Sequence, residues 1–383
     1  MAALTPTLNP LYALLAFWIS GGALAYTFFG YGLLMQLLAR GRTIERDASA
    51  TPRDVCVVIV AHNEETRIAA RIENLLASDY PPSKLRLLLV SDGSTDETVA
   101  RAQTLAPERV TIVSQFTRAG KSAGLNTALA HTTSEIVVFT DARQRFAPDA
   151  ITRLAAHFAH PWIGAVSGAL EIDASSSATG AGVDAYWRYE KRLRAAESRF
   201  DSCIGCTGAI YAIRRTLFAP IPPDTLLDDV VIPMQIAARG ARVIHDSSAH
   251  AFDPQTLDPS SEQRRKKRTI AGNFQMLFRH PEWLLPWRHR LWWQLLSHKY
   301  LRLAAPLFLL TALAANITLA THPFYRATLA VQILFYTAAV FGFLPGFRRL
   351  RILALPAGFV FLNVMTLRGF LYYFRRGTLA GWN

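Results

Sequence analysis

Cysteine is scarce in this chain, and charge is absent from its first stretch. Among 383 residues there are three cysteines, Cys56, Cys203 and Cys206, and only the last two stand at C-x-x-C spacing. One such pair falls short of the four ligands of a structural zinc site and lacks the βα context of a redox motif, so it reads as pocket lining. No charged residue precedes Arg40. A cleaved leader needs a basic start and a shorter apolar core, so residues 11–38 are expected to anchor the chain in a membrane instead. Two nucleotide fingerprints are also missing. Gln115 stands where a phosphate loop ending in Gly120-Lys121-Ser122 requires glycine, and no G-x-G-x-x-G follows a strand. Acids are outnumbered, 28 against 41 Lys and Arg, for a formal net charge of +13. No nucleic-acid-binding signature accompanies that charge, and membrane flanks with an anionic ligand account for it, so nucleic acid is excluded as a partner.

What the chain does have is unevenly placed. Apolar runs return at residues 303–321 and 327–346, both long enough to span, and at 352–367, marginal unless extended to 374. Arg40, Arg42 and Arg46 follow the first span, and Arg348, Arg349 and Arg351 follow the third. The positive-inside rule therefore puts these flanks, and the region between the spans, in the cytoplasm. Parity then sends the C-terminus outside, against Arg375 and Arg376, which leaves the last segment spanning, re-entrant or interfacial. Residues 282–302 carry Trp283, Trp287, Trp292 and Trp293 among basic residues and are expected to form an interfacial helix. The expected organisation is a membrane anchor over 1–42, a cytoplasmic α/β domain over 52–280, an amphipathic interfacial helix over 281–302 and C-terminal membrane helices over 303–375.

Between the spans, short β-rich runs alternate with amphipathic stretches, the pattern of βαβ units and a largely parallel sheet. VCVVIV (55–60), LRLLLV (85–90), VTIVS (110–114), EIVVFT (135–140) and IGAVSGAL (163–170) are expected strands, with helices over 184–200 and 231–240. Ser94-x-x-Glu97 matches a capping box, so Asp92 falls in a strand-to-helix loop. Acidic motifs follow the strands: AHNEE with Asn63 and Glu64, SDGSTDET with Asp92, TDARQ with Asp141, and LLDDVV with Asp228 and Asp229. Carboxylates at the carboxyl ends of parallel strands share one crevice. Taken singly, Asp92 fits a turn, Asp228 and Asp229 fit a helix N-terminus, and Lys121 fits either a phosphate contact or a solvated lysine.

Together, AHNEE, SDGSTD, GKSAGLN and TDA resemble the inverting family 2 glycosyltransferases of GT-A fold, a Rossmann-like nucleotide-sugar-binding architecture here flanked by transmembrane helices. GCTGAIYAIRR resembles the acceptor-side loop, LLDDVV the acidic catalytic motif, and SHKYLRLAAP the entry to the C-terminal helices of membrane-bound exopolysaccharide-type members, which are like cellulose and hyaluronan synthases. The resemblance implies a sugar donor, UDP-linked by expectation, and a growing polysaccharide or lipid-linked acceptor at the cytoplasmic membrane. It implies that Asn63 and Glu64 lie around base and ribose, that Asp92 holds the base, and that Lys121 contacts the donor. Asp141 would be the first acid of the metal motif for Mg²⁺ or Mn²⁺, and Asp229, beside Asp228, the base. Cys206, Thr207 and Gly208 would line the acceptor side.

Two departures from the family pattern stand out. Arg143 occupies the place of the second metal-binding acid, so either Asp141 holds the metal with the donor's phosphates or Arg143 partly replaces it. Arg265-x-x-Arg268-Thr269 stands where processive synthases carry Q-x-x-R-W, so Arg265 and Arg268 belong either to diphosphate gating or to a cluster drawn to anionic lipid. Single addition to a lipid, or a silent donor-binding subunit of an export or assembly complex, are the alternative readings.

Overall fold

The computed structural model describes residues 10–44, 46, 51–105, 107–172, 181–253, 259–344, 346–347 and 350–376. The uncharged opening forms α1 (Pro10–Ala25) and α2 (Tyr31–Leu38), joined by one wide turn at Tyr26–Gly30 into a rod long and apolar enough to cross a membrane. Strands and helices then alternate: β1 (Val55–Ala61), α3 (Ile68–Leu76), β2 (Leu85–Asp92), α4 (Thr98–Gln103), β3 (Val110–Gln115), α5 (Lys121–Ala130) and β4 (Ile136–Thr140). They are followed by β5 (Arg145–Phe146), α6 (Ala150–Ala156), β6 (Ile163–Ile172), α7 (Ala181–Phe200), β7 (Tyr211–Arg214), α8 (Asp228–Ala238) and β8 (Arg242–Asp253).

All eight strands join one sheet in the order β3-β2-β1-β4-β7-β6-β8-β5. β1 is buried along its whole length and pairs in parallel with β2 and β4, as an unbroken apolar strand covered on both faces should. Each face of the sheet carries its own core, one against α3 and α6, the other against α5 and α8. The second half departs from the expected parallel pattern. Of the seven strand pairings, β4–β7, β6–β7 and β5–β8 are antiparallel. Two of these come from β7, which lies within GCTGAIYAIRR: its tail, expected to remain loop, inserts between β4 and β6 and runs against both, while the short β5 runs against β8 at the edge.

The capping box is also corrected. Ser94 Oγ accepts from Asn63 N (3.2 Å), while Asp96 Oδ1 accepts from Thr98 N (3.0 Å) and opens α4. The acid two residues ahead reaches the first free amide, and the serine is used to join two loops.

Beyond the sheet run α9 (Pro259–Arg279), α10 (Trp292–Leu295), α11 (Leu301–Thr318), α12 (Pro323–Phe343) and α13 (Arg351–Arg376). The 281–302 segment is not one interfacial helix. Trp283 is buried in the domain core and stacks on His280, Trp287 is exposed, and Trp292 already begins an apolar rod running to Thr318. Among the described residues four rods are long and apolar enough to span: Pro10–Leu38, Trp292–Thr318, Pro323–Phe343 and Ile352–Arg375. Arg348 and Arg349 lie outside the described residues.

The last rod is held differently from the others. It packs along α9, with Phe274 against Phe370 (ring centroids 5.1 Å) and Phe278 against Tyr373 (5.7 Å). A Cβ on Gly369 would stand 2.4 Å from Ile270, so only glycine allows this approach. Arg279, at the end of α9, is paired with Asp224 of the domain, which fixes α9 and hence the tail of α13 to the domain side. In sealed vesicles, cysteines replacing Arg375 and the exposed Arg118 should react from the same face, and one replacing Thr321, between α11 and α12, from the opposite face. Labelling of position 375 with position 321 would overturn the packing argument.

Candidate active site

Parallel register brings the ends of β1, β2 and β4 to one edge of the sheet: Ala61 pairs with Ser91 and Ile59 with Thr140, so His62, Asp92 and Asp141 emerge side by side. At this edge the loops bind one another first. Asn63 sits at φ 54°, and its Oδ1 accepts from Thr95 N (2.9 Å), clamping the β1 loop to the β2 loop. Glu64 N donates to Thr98 Oγ1 (2.8 Å), and its carboxylate pairs with Arg67 (3.0 Å). Asp92 is 2% exposed, and its two oxygens accept from Ala119 N (2.6 Å) and Gly120 N (2.9 Å). Gly120, at φ 93°, gives the backbone the bend that aims both amides at that carboxylate. Both oxygens are therefore engaged by the loop that delivers Lys121.

Lys121 starts α5 and is buried. Its Nζ donates to Asp141 Oδ1 at 2.8 Å and lies 3.6 Å from Asp228 Oδ2. Burial works against the ammonium, but the carboxylates of Asp141, then Asp228, outweigh it and raise its pKa. Burial would likewise raise the Asp141 carboxyl, yet Lys121, with Arg143 and Arg268 behind it, holds it below the ordinary carboxylate value. Arg268 on α9 thus lies within electrostatic range of the site, while Arg265 is exposed on the same helix.

Asp228 and Asp229 open α8, where a helix N-terminus favours acids. Asp228 is 4% exposed, and its Oδ2 makes no hydrogen bond among the described residues. Asp229 faces Gly208, where an added Cβ would meet Oδ2 at 3.0 Å, and its carbonyl accepts from Cys206 N at 2.7 Å. Burial first, and the neighbouring Asp228 carboxylate second, push the pKa of Asp229 up to about 6, against the pull of Lys121, Arg194 and Lys299. A carboxyl with that value is poised to take a proton near neutral pH. Thr207 N donates to Ser167 Oγ (2.9 Å), and Thr207 Oγ1 accepts from Arg194 (3.3 Å). Cys203 and Cys206 are free, buried thiols in the core beside this loop, and burial raises both pKa values.

Arg143 points away from Lys121 to Asp253, at 3.2 Å, and Gln144 also bonds that acid. Among the described residues no three of His, Cys, Asp and Glu converge as a metal-ligand set. Asp141, with its side chain 27% exposed, offers a carboxylate that fits a hard cation only when a ligand brings further oxygens. Several neighbours were not expected from the sequence. Arg71, on the apolar face of α3, donates to Thr140 Oγ1 (2.7 Å) beneath Asp141, and burial brings its pKa down to about 9. An arginine at a core position of a helical pattern was its only signal. Asp253, Arg194 and Lys299 carried none.

The sheet, the crevice and the acid–lysine cluster define a GT-A nucleotide-sugar-binding fold. The chain matches a mannosyltransferase from Pyrobaculum calidifontis, solved with GDP-Man and Mn²⁺, with a TM-score of 0.71 over 96% of this chain and 99% of that one, at 24% identity. Residues 56–221 match Glycosyl transferase family 2, and this stretch is a family 2 glycosyltransferase domain. The chain is 32% identical over 164 residues to a beta-monoglucosyldiacylglycerol synthase of Synechocystis sp., covering 40% of this chain and 34% of the relative. A succinoglycan biosynthesis protein of Rhizobium meliloti is 31% identical over 136 residues, covering 35% and 38%. The chain thus spans little more than a third of the length of these relatives.

Replacing Lys121 by Met would strand the buried carboxylate of Asp228 and the half-buried one of Asp141. Breaking a buried pair in this way costs roughly 3–5 kcal/mol. Lys121→Met should lower the unfolding temperature in detergent by several degrees, and adding Asp228→Asn should recover part of the loss. Unchanged unfolding of the single variant would show that the cluster does not hold these elements together.

Proposed function

We propose that the chain is an integral membrane enzyme that transfers a sugar from a nucleotide-sugar to a membrane-associated saccharide or lipid-linked acceptor, with inversion. The observation carrying this reading is the Lys121 clasp, which sets a donor-side acid, Asp141, and the acid pair at the start of α8 around one ammonium. On this reading the loops of Asn63, Glu64 and Asp92 shape the base and ribose end, and Lys121 and Arg268 face the diphosphate. Asp229 takes the proton of the acceptor hydroxyl as that oxygen bonds to the anomeric carbon. The bond to the nucleoside diphosphate breaks on the opposite side of the sugar, and a single displacement of this kind inverts the centre. Relatives named for a glucosyldiacylglycerol and for succinoglycan support a lipid or saccharide acceptor, and the basic flank Arg40, Arg42 and Arg46 supports a cytoplasmic domain. We read α13 as lying at the membrane border rather than across it.

A divalent cation, Mg²⁺ or Mn²⁺, would be held by Asp141 together with the donor's oxygens, and it would supply charge neutralisation to the departing diphosphate. A panel of nucleotide-sugars, UDP- and GDP-linked among them, with nucleoside diphosphate release as readout, tests the reading; no release with any donor would sink it.

Asp229→Asn should keep donor binding and lose transfer by about 10²–10⁴-fold, the range of lost acid–base catalysis. Because a base works deprotonated, transfer by the unmodified protein should rise with pH through about 6 and level off above it. Near-normal turnover of the variant, or a flat profile from pH 5 to 8, would return Asp229 to helix capping.

For the metal, affinity should be low without donor and rise when donor binds, because Lys121 already occupies Asp141 in the free protein. Calorimetric titration of Mn²⁺ with and without nucleotide-sugar checks this, and tight donor-independent binding contradicts it.

A further inference from the structure

Arg71 is a cation placed where a helix usually puts an aliphatic side chain. With Ile68, Ile72 and Leu75 it makes up the buried face of α3, and it is 2% exposed. Its guanidinium donates to uncharged acceptors. A charge buried against neutral partners is costly, and an apolar chain of similar volume would fill the place without that cost. What the guanidinium reaches is the turn that carries Asp141 and Arg143. Nη2 donates to Thr140 Oγ1 (2.7 Å) at the end of β4, and Nη1 donates to Asn74 Oδ1 (2.6 Å). Asn74 Oδ1 also accepts from Phe146 N (2.8 Å), and its Nδ2 donates to the Phe146 carbonyl (3.1 Å). The Phe146 ring itself lies against the guanidinium, whose Cζ is 4.2 Å from the ring centroid. One cation therefore serves both ends of residues 141–144, β4 on one side and β5 on the other. Thr140 Oγ1 extends the contact by donating to the Ala209 carbonyl (2.8 Å), one residue past the Gly208 against which Asp229 rests. From the far side the turn is held separately, by Arg143 and Gln144 on Asp253 and by β5 on β8.

We propose that Arg71 is a positioning residue for the donor side of the site, clamping both ends of the 141–144 turn so that Asp141 and Arg143 stand in place before a nucleotide arrives. Asn74 completes the clamp at the β5 end. A guanidinium suits this task because its planar fork makes two directed bonds at once, where a single ammonium would hold one end. A turn fixed in advance does not have to be ordered when a diphosphate and its cation bind, and contacts one layer behind a ligating carboxylate set how tightly an ion is held there. The inference rests on the transferase reading, which takes 141–144 as the turn that meets the diphosphate.

The test uses the full-length protein in detergent and two measurements. Amide hydrogen exchange reports on residues 139–147 with no ligand present, and calorimetry reports binding of UDP and of GDP, each with Mn²⁺. In Arg71→Met the 139–147 amides should exchange faster, and the nucleotide that the unmodified protein binds should bind about ten- to a hundredfold more weakly, the range for lost support behind a metal ligand. Exchange over β2 and β3 should stay as in the unmodified protein. Thr140→Val removes the β4 end of the clamp from the other partner and keeps its volume, so it should give the same two changes even where Arg71→Met folds poorly. Thr140→Ser, which keeps the hydroxyl, should recover most of the loss. Unchanged exchange of 139–147 in Arg71→Met and Thr140→Val would overturn the proposal, and so would faster exchange with unchanged nucleotide binding. Equal loosening of β2 and β3 would also overturn it, by assigning Arg71 to the fold at large. Binding of neither nucleotide by the unmodified protein would count against the transferase reading, and the exchange of 139–147 then decides the clamp alone.

Discussion

The ammonium of Lys121 is the contact on which the rest of the site depends. Three segments far apart in the chain end on it: the start of α5, the residue after β4 and the first turn of α8. Each brings a group that would be costly to bury alone, and the cluster is tolerable only because acid and base arrive together. Asp92 supports it from behind, since its carboxylate holds the two amides that set where α5 begins. A change in any one of these residues is felt at the other two segments. Asp141 and the acids of α8 cannot move independently.

A second charged knot fixes the domain to the apolar rods. Tyr31 of α2 donates to Glu197 (2.6 Å), Glu197 also meets His298, and His298 meets Glu190, so α2, α7 and the approach to α11 share one buried network. Both imidazole nitrogens face carboxylate oxygens, Nδ1 that of Glu197 and Nε2 that of Glu190. Glu190 is drawn well below the usual carboxylate range: burial opposes this, but His298 and Arg302 outweigh it. Arg194 reaches from the same helix to Thr207, one residue from the glycine against which Asp229 rests. The apolar rods and the side of the site where Asp229 rests on Gly208 are therefore joined through α7.

Much of this was legible from local pattern. β1, β2, β3, β4 and β6 follow from apolar and β-branched runs, and the ends of β1, β2 and β4 carry the acids Glu64, Asp92 and Asp141. What the pattern could not supply is pairing across the chain. β7 reads as loop because its strand is four residues long after a glycine-rich turn, and only its fit beside β4 makes it a strand. The four tryptophans of the 282–302 stretch look like one belt in sequence, yet Trp283 turns inward to His280 while Trp292 starts a membrane rod, because a 3-10 turn at Pro281–Leu284 separates them. Asp253, Arg194 and Lys299 escaped notice since nothing within ten residues of each distinguishes them from surface charge. Asp253 takes its meaning from Arg143 and from Gln144, 109 residues away, and Arg194 and Lys299 from lying within electrostatic range of Asp229.

The arginine in the acid motif shows how register settles a question that composition leaves open. An unpartnered guanidinium at position 143 would be free to fold onto Asp141 and cancel it. β5 instead pairs with β8, Arg145 opposite Phe252 and Phe146 opposite Ala251, and the residues just before β5 are carried to the end of β8. There Asp253, 3% exposed, accepts both Arg143 and Gln144, so the guanidinium is held by an acid from another strand while its charge still lowers the pKa of Asp141. The acid missing from position 143 has in effect been moved to position 253, with a fixed cation between it and Asp141. A charge held in this way does not have to reorganise when an anion arrives, and that is the condition under which a fixed cation stabilises developing negative charge. The same arrangement keeps Asp141 ionised beside Lys121, so this edge of the crevice carries alternating charge, Lys121, Asp141, Arg143 and Asp253, set by the ends of α5, β4 and β8.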